Sequence, residues 1–453
     1  MGIYFTKRVR CGFTYTGTFG RVSFHREKPL YFWIYSFNFC LHLWISKING
    51  SLPVSLAGQL KSNAFNMKKI SWILSFLALV LISRSQNSSH PNWDKTFDSV
   101  SNRNPLPAYM VAAINKDGVY YEYDHGKEVW TKDEPLNANS IFRIYSMTKA
   151  IATVAALQLV EEGKITLDEP LDKLMPEMAS IPILETDGSL VPAKKPITLR
   201  QLLTHTAGFA YNFDSYKLYH FKKPADWKYK DLPRIFEAGD AWFYGTSMDW
   251  AGAVVEKVSG EDLEHYLKAH VTGPLGMTRT FFTVPDSLIG HLTTFGKLVG
   301  NHFIIDTSMI IKQGGIKPEF YSAGGGLFST LHDYAIFLRC ILNNGTLNGH
   351  TILKKSTVDL MFANQIGDKV GHLEMINDSS VPNDSSFKYN GSMKFGFGWG
   401  ILGNIFFWGG IANTNFSINR DAGKAHLFFS NNLPYANIYI ASINGLAQSL
   451  FLK

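Results

Sequence analysis

The sequence predicts an α/β fold of the α+β type: one antiparallel sheet built from both ends of the chain, flanked by helices, with a mostly helical domain inserted. Three observations predict it. A hairpin pattern lies near the start of the folded part, four short strand patterns follow one another near the end, and helical spacing dominates the middle.

The opening hairpin is read from Tyr109 to Tyr123, with Lys116-Asp117-Gly118 turning between two strand-favouring runs. The stretch Phe142 to Tyr145 leads into Ser146, after which Ala150 to Val160 is apolar all round, the mark of a buried helix, stopped by Gly163. Helical spacing resumes over Ile197 to Thr204, Met248 to Val258 (ended by Gly260) and Asp262 to Val271. Ala323-Gly324-Gly325-Gly326-Leu327-Phe328 reads as a glycine-rich turn into a helix capped by Ser329 or Thr330. No Lys follows those glycines, so they do not make a phosphate-cradling loop. Strands are expected over 396–401, 405–408, 415–419 and 425–430, and a closing helix over 438–452. The sheet domain then comprises 88–185 and 322–453, and the helical, loop-rich domain 186–321.

The 453 residues, 45% hydrophobic and 18% charged, exclude collagen, coiled-coil and wholly disordered classes. The net charge of +7 suggests nucleic acid until its distribution is examined. Residues 1–85 hold 11 Lys/Arg against one acid, Glu27, leaving 33 basic and 36 acidic residues downstream, a net of −3. With no basic run and no binding signature, no nucleic-acid partner is expected.

Met67-Lys68-Lys69, the apolar run Ile70 to Ile82 and Ser83-Arg84-Ser85 have the layout of a signal peptide, with export to the periplasm or medium as the consequence. Residues 1–66, with 14 aromatics and one acid, are then an upstream read-through or a disordered leader. The run Leu30 to Ile45 is short for a membrane span, so no stable span is expected in the mature chain. That mature chain keeps one cysteine, Cys340, in an apolar helical run, which predicts a core thiol and no disulfide. Histidines lie apart, with no metal-ligand spacing, so neither metal nor cofactor is expected; His205 is expected to be structural.

Ser146-Met147-Thr148-Lys149 carries the chemistry. At the first turn of a helix residues i and i+3 share a face, so the lysine amine can reach the serine hydroxyl, and the helix N-terminus favours an oxyanion beside it. Ser385-Ser386-Phe387-Lys388 repeats the spacing within a polar loop and is set aside as a decoy.

The context of that tetrapeptide, Phe142 to Pro176, resembles the serine β-lactamase-like superfamily: class C β-lactamases, penicillin-binding proteins and family VIII carboxylesterases. Leu202 to Gly208, Pro274-Leu275-Gly276-Met277 and Gly324-Gly325-Gly326-Leu327 recur in the family's order, so the resemblance covers about 100–445. It implies a β-lactamase/transpeptidase-like fold with Ser146 as nucleophile and Lys149 as proton acceptor. The family's Tyr-x-Asn element matches at Tyr244, with Thr246 in place of Asn; Tyr435-Ala436-Asn437 has the literal string but falls too late in the chain. A close ammonium is expected to lower the Tyr244 phenol so that the two groups share one proton. The third element matches Trp408-Gly409-Gly410, where an apolar ring replaces the cation that would hold a substrate carboxylate. By the same resemblance the amides of Ser146 and Ile411 form the oxyanion hole, and Trp408, Gly409, Gly410 and Thr246 line the substrate site.

The expected protein is an exported serine hydrolase that acts on small carboxylic esters or amides through an acyl-enzyme. The alternatives are a β-lactamase or D-amino-acid peptidase of the same superfamily, and a non-catalytic ligand-binding relative. Phe209, Tyr211, Phe213 and Tyr216 are expected to line the acyl pocket.

Overall fold

The computed structural model describes residues 91–453, apart from 228, 311–316 and 371–392. The leader, the signal-peptide segment and the Ser385–Lys388 repeat lie outside the described residues.

Seven antiparallel strands form the main sheet: β1 (Ala108–Asn115), β2 (Val119–Gly126), β3 (Lys394–Phe395), β4 (Gly400–Leu402), β5 (Ile405–Gly410), β6 (Thr414–Asn419) and β7 (Lys424–Phe429). They lie in the order β3-β4-β5-β6-β7-β1-β2. The hairpin from one end of the folded part therefore pairs directly with the meander from the other, Met110 opposite Phe429 through Asn115 opposite Lys424. The β1–β2 turn closes because the Asn115 carboxamide oxygen accepts from the amides of Asp117 and Gly118, at 2.8 and 2.9 Å.

β1 is buried almost throughout because helices cover both faces of the sheet. Its side chains divide with the period of two: Tyr109, Val111 and Ala113 join one apolar cluster, Met110, Ala112 and Ile114 the other. Helices α1 (Pro91–Ser101) and α5 (Ile438–Phe451) supply Phe97, Ile440, Ile443 and Phe451 to the first. The second cluster contains α2 (Thr148–Glu161), α3 (Ser247–Ser259) and α4 (Leu331–Leu342), and runs without a break from Phe416 and Leu427 through Ala155 to Leu202, Val254 and Leu263.

The expected helices are present with boundaries shifted by one or two residues. Gly260 caps α3 in the left-handed region at φ +77°, and Thr330, not Ser329, caps α4 by accepting from the Asp333 amide. Ser329 belongs instead to a two-residue strand, Phe328–Ser329, paired with Phe142–Arg143. Cys340 is wholly buried, as its apolar neighbours predicted. Among the described residues, elements that were not anticipated include α1, the helix Lys355–Phe362, and the hairpin 296–305, whose first strand pairs in parallel with Asn432–Leu433. Among the described residues no helix is long and apolar enough to cross a membrane.

Candidate active site

Ser146 sits in a 3₁₀ turn, Tyr145–Met147, that runs straight into α2. Tyr145 is held at φ +45°, a conformation that costs an L-residue energy and persists only where its surroundings enforce it. Those surroundings are specific. The Ile144 amide donates to the Leu327 carbonyl at 3.0 Å, Thr414 Oγ1 donates to the Ile144 carbonyl at 3.1 Å, and the buried Tyr334 hydroxyl donates to the Met147 carbonyl at 3.0 Å. β5 also presses on this turn. A Cβ at Gly410 would lie 2.5 Å from the Ile144 carbonyl oxygen and 3.0 Å from Tyr145 Cβ, so only glycine permits the approach.

Lys149, one residue inside α2, is 1% exposed, whereas Ser146 is only partly buried. Its amine donates to Ser146 Oγ at 3.1 Å, to the Tyr211 hydroxyl at 3.1 Å and to the Gly324 carbonyl at 2.6 Å. Burial lowers the amine from 10.5 to about 7, with the Asp249 carboxylate opposing the fall. Near neutral pH a large fraction of this lysine is therefore the free base, and its nitrogen lone pair is available to a proton.

Tyr244 completes the group. Its ring centroid lies 4.7 Å from Lys149 Nζ, and its hydroxyl hydrogen-bonds Ser146 and accepts from Trp408 Nε1 at 3.2 Å. The expectation that a neighbouring ammonium would acidify this phenol is corrected: burial pushes it up, and the hydrogen bonds from Ser146 and Trp408 only partly offset the rise. The physical reason is burial, which disfavours the phenolate, and Lys149 is not among the groups that act on the phenol.

Behind Tyr244 stands His205, with ring centroids 4.8 Å apart; its Nδ1 accepts from the Gly245 amide at 3.4 Å. Burial holds His205 well below its ordinary range, so it packs as a neutral ring. Gly245 lets the 209–210 backbone come close, since a Cβ there would sit 2.4 Å from the Phe209 carbonyl oxygen. That approach delivers Tyr211 to both Lys149 and Tyr244, whose ring it meets edge-on at 5.3 Å.

The remaining expected positions separate. Trp408 is 6% exposed and turned toward Tyr244. Gly409 and Gly410 end β5, and Ile411 follows them, exposed. Thr246 is buried at the N-terminus of α3 and makes no capping hydrogen bond with its side chain. The four-aromatic wall is corrected. Phe209 is a core residue stacked on Trp250, Tyr216 lies on the surface against His220, and Phe213 stacks on Tyr211 at 4.9 Å with part of its ring in solvent. Tyr435 was set aside on chain order, yet it lies within electrostatic reach of Tyr244, as does the buried carboxyl of Asp214. Sequence reasoning missed Asp249 and the Gly324 carbonyl, because a backbone oxygen carries no side-chain signal and Asp249 reads as an ordinary first-turn acid of a helix.

The arrangement can take a proton from a serine hydroxyl at neutral pH. The sequence model of the beta-lactamase family matches residues 93–441. A Mycobacterium tuberculosis protein of uncharacterized function is 31% identical over 253 residues, which cover 52% of this chain; the match spans 62% of that protein, less than two thirds of its length. Monacolin J acid methylbutanoyltransferase of Aspergillus terreus is 29% identical over 363 residues, 72% of this chain and 86% of that one. Among solved structures, a mutant of simvastatin synthase from Aspergillus terreus superimposes with a TM-score of 0.67 at 26% identity, covering 78% of this chain and 92% of that chain.

Proposed function

The chain belongs to the beta-lactamase family, and on that premise we propose that it is a serine enzyme that opens carboxylic esters through a covalent acyl-enzyme. The observation that carries the reading is the 3.1 Å contact between Ser146 Oγ and a buried amine whose basicity lies near neutrality.

In this reading Lys149 Nζ takes the Ser146 proton as Oγ attacks the ester carbonyl carbon, and the amides of Ser146 and Ile411 hold the tetrahedral oxyanion. Collapse breaks the bond to the leaving oxygen. That oxygen receives a proton passed from Lys149 by way of the neutral Tyr244 hydroxyl, which already hydrogen-bonds Ser146. The acyl group is then on Ser146 Oγ. Water attacks it in the same geometry, Lys149 takes the water's proton, and the acid departs as Ser146 regains its hydrogen.

Esters rather than penicillins or peptides are favoured because the third motif presents the indole of Trp408 where a carboxylate-binding cation would stand. A second reading rests on the relative named as a methylbutanoyltransferase: an alcohol replaces water in the second half-reaction, and the acyl group is transferred instead of hydrolysed. Export rests on the layout of residues 67–85, and N-terminal sequencing of secreted protein tests it.

A fluorophosphonate probe tests the enzyme reading. Labelling that disappears in Ser146→Ala supports it, and a folded wild type that takes no label supports a binding protein instead. Hydrolysis of nitrocefin or of a D-Ala-D-Ala peptide faster than short p-nitrophenyl esters would replace the ester assignment.

A further inference from the structure

Lys149 is held through its amine. The hydroxyls of Tyr211 and Ser146 accept from it at 3.1 Å, and the Gly324 carbonyl accepts at 2.6 Å. That carbonyl belongs to a glycine turn which Asp249 fixes in place: Oδ1 accepts from the Gly324 amide at 2.9 Å and from Ser322 Oγ at 2.6 Å. The fit is close enough that a Cβ on Gly324 would lie 2.8 Å from Oδ1. Asp249 comes from the first turn of α3, so one carboxylate ties α3, the glycine turn and the α2 lysine together.

We propose that Asp249 is a positioning residue for the reaction: its carboxylate clamps the Gly324 turn whose carbonyl holds Lys149. This rests on the reading of Lys149 as the base for Ser146. The groups facing the amine from the surrounding elements are the hydroxyls of Ser146 and Tyr211, the ring of Tyr244, the neutral ring of His205 and the carboxylate of Asp249. Asp249 is the charged member of that set and favours the protonated amine, and its own carboxyl is pulled down by Lys149 in return, against the upward push of burial.

The test is the second-order rate constant for fluorophosphonate inactivation, measured as a function of pH. A rate constant reads only the folded, reactive fraction, so partial misfolding does not distort it. In Asp249→Asn the amide oxygen still accepts from Gly324 and Ser322 but the charge is gone. The acidic limb then moves to lower pH by about one unit while the plateau stays within about tenfold of wild type. A limb that stays put in the Asn variant overturns the proposal and leaves a purely structural acid. Should Asp249→Asn yield no folded protein, Gly324→Ala gives the same decision. Its Cβ displaces the carboxylate, so the limb moves down, and an unmoved limb again overturns the inference. Failure of the underlying reading looks different: wild type itself would not react at Ser146.

Discussion

Trp408 Nε1 donates a 3.2 Å hydrogen bond to the hydroxyl of Tyr244, so the indole of the third motif reaches the phenol proposed to relay the proton. Ser146 and the indole both hydrogen-bond the phenol oxygen, and both act to lower its pKa against the larger upward push of burial. The ring stays packed between Tyr244, at 5.0 Å, and Phe395, at 5.2 Å. Trp408→Phe keeps an aromatic body and removes the donor. Ester turnover should fall about 3–10-fold, the worth of one neutral hydrogen bond, with kcat carrying the loss and KM nearly unchanged. An increase in KM alone would make Trp408 a substrate contact instead.

The active-site lysine is costly to the fold. Its pKa in the native protein, about 7, lies below its ordinary 10.5, so between those values the unfolded chain binds a proton that the native chain does not. Native stability therefore rises as pH goes from 7 toward 10.5. Lys149→Met should abolish turnover, by about 10²–10⁴-fold or more, and yet raise the urea midpoint at pH 7, with the gain shrinking by pH 9.5. A Met variant less stable than wild type at pH 7, or a gain independent of pH, would contradict this.

Acid sensitivity should come from β7. His426 is wholly buried between Ala113 and Ser417 of the neighbouring strands, and neither ring nitrogen has a partner among the described residues. Burial lowers it from 6.5 to about 3. As pH falls below about 6.5 the unfolded chain takes up a proton that the native ring refuses, and stability is lost progressively down to about pH 3. In His426→Leu the difference between urea midpoints at pH 7 and pH 4.5 should be markedly smaller than in wild type. An equal difference would place the acid sensitivity elsewhere.

Gly410 makes the strand-to-turn contact possible. Gly410→Ala puts a methyl 2.5 Å from the Ile144 carbonyl oxygen, in the segment that holds Tyr145 at positive φ. A destabilisation of about 1–3 kcal/mol and a loss of Ser146 labelling larger than that stability change explains should follow. The measurements are urea denaturation and labelling rate on the same preparation.

Much of this was legible because period and punctuation are local. Alternation in β1, all-round apolarity in α2, and Gly260 and Thr330 as caps each appear within a few residues of the element they define. The helix α1 carries Trp93, Phe97 and Val100 at helical spacing but sits beside a polar stretch that hid it. Ser146 and Lys149 were readable because three residues on a helix fix their distance. Tyr211 was not: its place beside Lys149 depends on the close approach permitted by Gly245, a contact between segments more than thirty residues apart in sequence. The phenol's upward shift was likewise invisible, since a chain without coordinates gives neighbours but no measure of burial.

The central claim is that Lys149 is a free-base amine near neutral pH in contact with Ser146. The pH dependence of the fluorophosphonate inactivation rate of wild-type protein tests it most directly. A single sigmoid rising through an apparent pKa near 7 is predicted; a rate that is flat from pH 5 to 9, or that rises only toward the ordinary lysine range near 10, would contradict it.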